Sequence, residues 1–301
     1  MAVDTPRAER LAEEFRQAHR RNAWREWGTM LRYLGVALAL VFALFPLVFI
    51  VSAAINPAGT LSTTNLIPSG AGFTNFTQLF GLRPYWSWYK NSLVIAGVGA
   101  FGSIFIGALA AYAFSRMRFI GRRPGLLFLL LIQMFPAPLA FVALFITFLA
   151  VGDVVPAIGL NTSAGLILAY LGGAMGANVW LLKGYFDTVP RELDEAAKVD
   201  GASHARIFFT MQLRLVVPIL VTVGMLSFVG LFNEFLLASV FLKDVDQQTL
   251  GVGLWALLTA DKNLYFGAFC AGALLASAPV VLLYLSLQRQ IVGGLTAGSV
   301  K

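Results

Sequence analysis

The chain has 301 residues, 58% of them apolar and 12% charged, with a mean hydropathy of +0.77. A soluble domain carries about a quarter charged residues, so this composition excludes a water-soluble fold and indicates a polytopic membrane protein. The net charge of +7 would suit a nucleic-acid binder only if the cations were grouped on a folded face, and they are instead strung between apolar segments.

The first 30 residues interleave arginines with Leu11, Phe15, Trp24 and Trp27, a pattern that suits a helix lying on the cytoplasmic membrane surface or a docking arm for a partner. The apolar run from residue 31 is too long for the core of a signal peptide and is expected to be retained. About 20 apolar residues cross a bilayer, and six segments qualify: 31–54, 91–114, 124–150, 164–182, 215–240 and 264–287. The predicted fold class is therefore all-α, with six transmembrane helices and both termini cytoplasmic. That topology puts eighteen Lys and Arg inside and only Arg83, Lys90, Lys243 and Lys262 outside, a clear positive-inside bias. The charge is a topology signal, and no nucleic-acid partner is expected. The predicted divisions are an amphipathic segment over 1–30, a membrane domain over 31–288 with a cytoplasmic loop at 185–214, and a cytoplasmic tail over 289–301.

Several positions within the spans carry chemistry. Tyr85, Trp86, Trp88 and Tyr89 read as an aromatic belt at the outer interface. Gly97, Gly99, Gly102 and Gly107 let helices approach closely. Pro136 and Pro138 must break regular hydrogen bonding, as a structural kink or as a flexible stretch of pathway. Asn178, Asn233 and Glu234 are the pathway candidates. A buried acid costs a few kcal/mol on insertion scales, so Glu234 should face a polar cavity or hydrogen-bond a neighbouring helix; with no second acid or His beside it, a proton relay is disfavoured. Cys270 is the one cysteine, so no intrachain disulfide can form, and it reads as a small buried apolar residue. No catalytic or metal-ligating constellation is present, and no G-x-x-x-x-G-K-[S/T] loop exists to cradle a nucleotide.

The stretch from Val189 to Pro218 is the longest polar internal segment patterned for helix. Pro190 suits a first helical turn and Gly201 the position past its end. Leu193, Ala196 and Ala197 fall on one face; Arg191 with Glu195, and Asp194 with Lys198, are i, i+4 pairs of opposite sign. Ser203 is placed to cap a second helix carrying Ile207, Phe208 and Met211.

Glu195-Ala196-Ala197 followed by Asp200-Gly201, then Leu213 and Pro218-Ile219-Leu220, resembles the cytoplasmic EAA loop of permease subunits in binding-protein-dependent ABC importers. One departure is Arg214, where the family usually has proline. Asn75-Phe76, Leu79-Phe80 and Asn91-Ser92-Leu93 are similar to carbohydrate-importer permeases, and the ending Gly294 to Lys301 is similar to the tail of the smaller maltose-type subunit. The resemblance covers roughly residues 70–301. It implies that Glu195, Ala196, Ala197, Asp200 and Gly201 couple to an ATPase, and that the outer loop with Gln247, Gln248, Thr249, Gly251 and Gly253 meets a binding protein. It also implies that the tail with Thr296, Gly298 and Lys301 docks between ATPase subunits. The implied partners are a second homologous permease, two ATP-binding subunits that hold the ATP and Mg this chain cannot, an extracytoplasmic sugar-binding protein and membrane lipid. The implied setting is the bacterial inner membrane and the implied cargo maltose, malto-oligosaccharide or a related disaccharide. A self-sufficient secondary transporter or channel is the alternative; it would need its own ion site and usually internal repeats, and neither is visible.

Overall fold

The computed structural model describes residues 5–57, 68, 70–82 and 84–296, with side chains from residue 29 onward except at 82, 137, 174, 175, 177, 289 and 291–296. Every regular element among the described residues is helical. The first, α1 (Thr5–Ile55), is one uninterrupted helix of 51 residues, about 75 Å at 1.5 Å per residue. The Arg-rich arm is thus continuous with the first span instead of forming a separate surface helix. The cause is local: no proline falls between residues 7 and 45, and Ala, Arg, Glu, Gln and Leu favour helix strongly. Among the described side chains of α1 only those near its end meet the bundle, where Ala53 and Ala54 pack with Phe266, Cys270 and Ala271. Asn75 of α2 (Thr74–Leu82) closes that end by donating to the carbonyls of Ala53, Ala54 and Asn56 at 3.1, 3.0 and 2.9 Å.

The central post is α3 (Tyr85–Arg116), which packs chiefly on α6 (Ser163–Phe186) and on α9 (Leu213–Phe232). Tyr85, Trp88, Ser92, Ile95 and Gly99 face the core at three- and four-residue steps. The expected aromatic belt is therefore divided. Tyr85 and Trp88 are 1% exposed while Trp86 stays outside, because a 3.6-residue period sends 85 and 88 to one face and 86 to another. Gly102 and Gly107 admit Leu171 and Asn178 of α6 against the α3 backbone.

The third span is two helices, α4 (Arg122–Gln133) and α5 (Ala137–Val154), bent by 101° at the proline pair, as the sequence predicts. A 54° bend divides α6 between Gly173 and Asn178. The polar hairpin contributes α7 (Glu192–Val199) and α8 (His204–Ile207). A wide π turn, Phe208–Gln212, then joins α8 to α9, giving one continuous helix over His204–Phe232; Arg214 lies exposed on it without interrupting it. The fifth span, expected to reach residue 240, stops at Phe232 and resumes as α10 (Leu236–Phe241). The outer segment expected to be a loop holds α11 (Leu250–Ala260), an apolar helix packed on α3 and α12 (Lys262–Thr296). Four helices are long and apolar enough to cross a membrane, and counting each bent pair as one span brings the total among the described residues to six. Gly293 and Gly294, which fall in the expected tail over 289–301, lie inside α12. Each glycine costs only about 1 kcal/mol in a helix interior, too little to stop a helix already propagating.

Close approach fixes one glycine at the outer end. A Cβ on Gly253 would sit 2.2 Å from the Trp88 ring, whereas one on Gly251 would meet nothing within 4 Å. Gly253→Val should therefore cost about 1–3 kcal/mol or more through overpacking, read as a lower melting temperature of the detergent-solubilised protein. Gly251→Val should leave it nearly unchanged.

Candidate functional site

The polar hairpin sits where α3 and α6 end together. Its helix α7 closes with a complete Schellman motif: the Gly201 N–H donates to Lys198 O and the Ala202 N–H to Ala197 O, both at 2.9 Å. Gly201 is left-handed at φ +79, a conformation only glycine adopts without strain. Ser203 caps α8 by accepting from the Arg206 N–H at 3.3 Å, as its position predicts. Pro190 stands two residues before the first helical residue instead of within the first turn.

The face of α7 turned toward the bundle is narrow and carries a carboxylate. Asp194 and Ala197 turn inward, while Leu193, Ala196, Glu195 and Asp200 are exposed. Neither i, i+4 ion pair forms among the described residues. Asp194 instead meets the Arg116 Nε at 3.1 Å, with side chains 8% and 3% exposed, and accepts from the Gln212 Nε2. A carboxylate held against a desolvated guanidinium outcompetes an exposed lysine, whose pairing in water is worth a few tenths of a kcal/mol. The Arg116 Nη2 also donates to Val189 O at 2.6 Å, tying down the segment that enters α7.

Beside this cluster, Asp187 caps the end of α6, accepting from the Ser115 Oγ at 2.6 Å and from the Lys183 ammonium. Burial works against its ionisation, but the hydrogen bonds from Lys183 and Ser115, with the charges of Lys183 and Arg122, prevail and hold its pKa below the ordinary carboxylate value. Asp187 is therefore ionised at neutral pH, and its stabilisation is lost only as pH falls through that lowered value.

The pathway candidates separate. The Glu234 carboxylate accepts from the Leu237 and Ala238 N–H groups at 2.8 and 3.0 Å and from the Tyr170 hydroxyl, so it caps α10 and ties it to α6. Asn233 is exposed and bonds back to Val229 O at 2.9 Å. Asn178 is half-buried against Gly107. The structure joins Glu234 to α6 through Tyr170 and not through Asn178.

At the opposite end, Trp88, Asn91 and Ser92 of α3 hold the 243–253 segment. The Trp88 Nε1 donates to Val245 O at 2.6 Å, the Asn91 Nδ2 to Asp246 O and Gln248 O at 2.9 and 3.1 Å, and the Leu250 N–H to the Ser92 Oγ at 2.8 Å. Gln247 is exposed, Gln248 and Gly251 are half-buried, and Thr249 and Gly253 are buried. Only part of the predicted binding-protein loop therefore faces outward. Thr296 is the last residue of α12; its side chain, with Gly298 and Lys301, lies outside the described residues.

Residues 103–295 match the family described as the binding-protein-dependent transport system inner membrane component. The chain belongs to this family. It is 39% identical to the maltose/maltodextrin transport system permease protein MalG of Salmonella typhimurium over 285 residues, 90% of this chain and 95% of that one. It is also 39% identical to the galactooligosaccharides transport system permease protein GanQ of Bacillus subtilis over 272 residues, covering 89% and 94%. In fold it matches a bacterial ABC transporter involved in the import of the acidic polysaccharide alginate, with a TM-score of 0.74 at 21% identity, over 88% of this chain and 96% of that one. The permease is thus a multi-pass subunit of the bacterial cytoplasmic membrane, a transport component rather than an enzyme.

Sequence reasoning missed Arg116, Gln212 and Tyr170 in this permease. Gln212 left a signal: it stands four residues after Phe208 and four before Val216 on the buried stripe, where a polar residue needs a partner. Arg116 was absorbed into the charge count. The burial of the outer segment is directly checkable. In a Cys270→Ala background, Gln247→Cys should react with a bulky maleimide on the folded protein, whereas Thr249→Cys, at a position 4% exposed, should react only after unfolding.

Proposed function

We propose that this permease is one of two homologous membrane subunits of an ATP-driven carbohydrate importer, and that α7 is its coupling helix to an ATPase. The observation that carries the reading is the outward face of α7. Glu195 and Ala196 are exposed on a short helix whose αL glycine turns the chain sharply back toward the membrane helices. Glu195 can give a charge-assisted hydrogen bond acceptor to an arginine of the partner's socket, and Ala196 lets the two surfaces approach closely. ATP and Mg are held by two ATP-binding subunits, whose closure moves the sockets, tilts the bundle and turns the pathway from inside-open to outside-open. An extracytoplasmic binding protein delivers the sugar near Gln247, and the segment beyond Thr296 docks between the ATPases. The kinship with maltodextrin and galactooligosaccharide permeases supports an oligosaccharide cargo, with maltose, a malto-oligosaccharide or a related disaccharide the favoured class.

Glu195→Ala should weaken ATPase docking by about 10- to 100-fold, the worth of one charged hydrogen bond, while membrane insertion stays normal. Gly201→Val should lower uptake in the same way, because a non-glycine αL residue costs about 1–3 kcal/mol. Co-purification of ATPase and uptake of radiolabelled maltotriose measure both, and full retention with full uptake would refute the assignment. Ser203→Cys in the Cys270→Ala background should be labelled from the cytoplasmic side only; labelling from outside would reverse the topology.

A further inference from the structure

We propose that Arg116, Asp194 and Gln212 are positioning residues forming the joint through which movement of α7 passes into the membrane bundle, an inference that rests on the coupling role proposed for α7. An eight-residue helix is too short to be stable alone, so its position depends on what it touches. Among its described side chains only Asp194 and Ala197 are buried. A seat made of one alanine would let the helix slide, since apolar contact has no direction. The carboxylate supplies the direction. It is gripped from two spans at once, by Arg116 at the end of α3 and by Gln212 in the π turn that begins the fifth span. Moving α7 away would leave a guanidinium that is 3% exposed without its counter-charge, a loss far larger than that of a surface pair. A push on α7 therefore carries the ends of α3 and of the fifth span with it. Arg116 tightens the linkage by also holding Val189 O.

The cluster is also unsaturated. Among the described residues the Arg116 Nη1 and the Gln212 Oε1 have no hydrogen-bond partner, although both are buried. The carboxylate meets the Nε edge, in an ion pair not aligned as a hydrogen bond. An ion pair held by charge rather than by an aligned hydrogen bond leaves Asp194 a second position along the same Nε–Nη2 edge while the pair is kept. Such a two-position contact suits a part that must stay engaged while α7 tilts.

The test uses the full importer reconstituted in vesicles, with this chain in a Cys270→Ala background carrying spin labels at Arg118→Cys and Lys198→Cys. Pulsed EPR reads the spread of their separation, nucleotide-free and vanadate-trapped, while hydrolysis stimulated by the maltotriose-loaded binding protein is measured in parallel. The wild-type joint should give one narrow distribution in each state. Asp194→Asn should broaden both and reduce the stimulation by about fivefold or more, the lower end of a typical coupling energy, and Asp194→Glu should restore much of each. Should Asp194→Asn not assemble, Gln212→Leu, which keeps the volume and removes the donor, should broaden the distributions instead. A narrow distribution in an assembled Asp194→Asn or Gln212→Leu complex overturns the joint. Broadening with undiminished stimulation shows that the joint holds α7 but that α7 does not couple, which overturns transmission through it and the proposed function behind it.

Discussion

A backbone N–H or C=O without a partner in hydrocarbon costs several kcal/mol, and several helix ends in this bundle are arranged around that cost. Where α1 ends, Asn75 takes three carbonyls. Where α6 begins, the Thr162 hydroxyl accepts from the Gly165 N–H at 3.0 Å. Where the fifth span breaks, Glu234 meets two N–H groups of α10. Asn161, itself left-handed at φ 58, accepts from Lys243 and Asp244 with its side chain and so joins the entrance of α6 to the exit of α10. Polar side chains within the membrane domain are thus largely structural, engaged by the ends of helices.

This explains why Glu234 is read better as a cap than as a solute ligand. Its oxygens already accept three hydrogen bonds, and a carboxylate so engaged has little capacity left for a passing hydroxyl. The break it stabilises has a separate use. By stopping at Phe232, the fifth span frees α10 to pack its Leu237, Ala238 and Phe241 with Leu166 and Tyr170, a cluster distinct from the one around Phe232.

The number of spans and their order were legible because a run of about 20 apolar residues has few other fates, and the Gly201 elbow was legible because an αL position leaves a strong residue preference. What stayed hidden was the inward turn of Asp194. On sequence alone Lys198 is its natural partner at i, i+4; Arg116 is 78 residues away, and nothing local indicates that the end of α3 stands beneath α7. The burial of Thr249 was hidden for a related reason. A polar residue in an outer segment reads as exposed until Ser92 and Trp88 are known to pull that segment down. The joining of the arm to the first span failed differently: the arm's amphipathic pattern was real, but pattern alone does not say where a helix stops.

The two ends of α3 grip different things. Trp88, Asn91 and Ser92 hold the 243–253 segment, and Arg116 holds α7, at either end of a rod about 48 Å long. Under the coupling proposed for α7, a push at one end of this rod would reach the other as a rigid-body displacement, with no relay of side-chain rearrangements along its middle. In a genetic screen, second-site changes that repair a damaged outer contact would then gather at the far end of the same helix, around Arg116, Val189 and Gln212, and the lipid-facing residues between would contribute few.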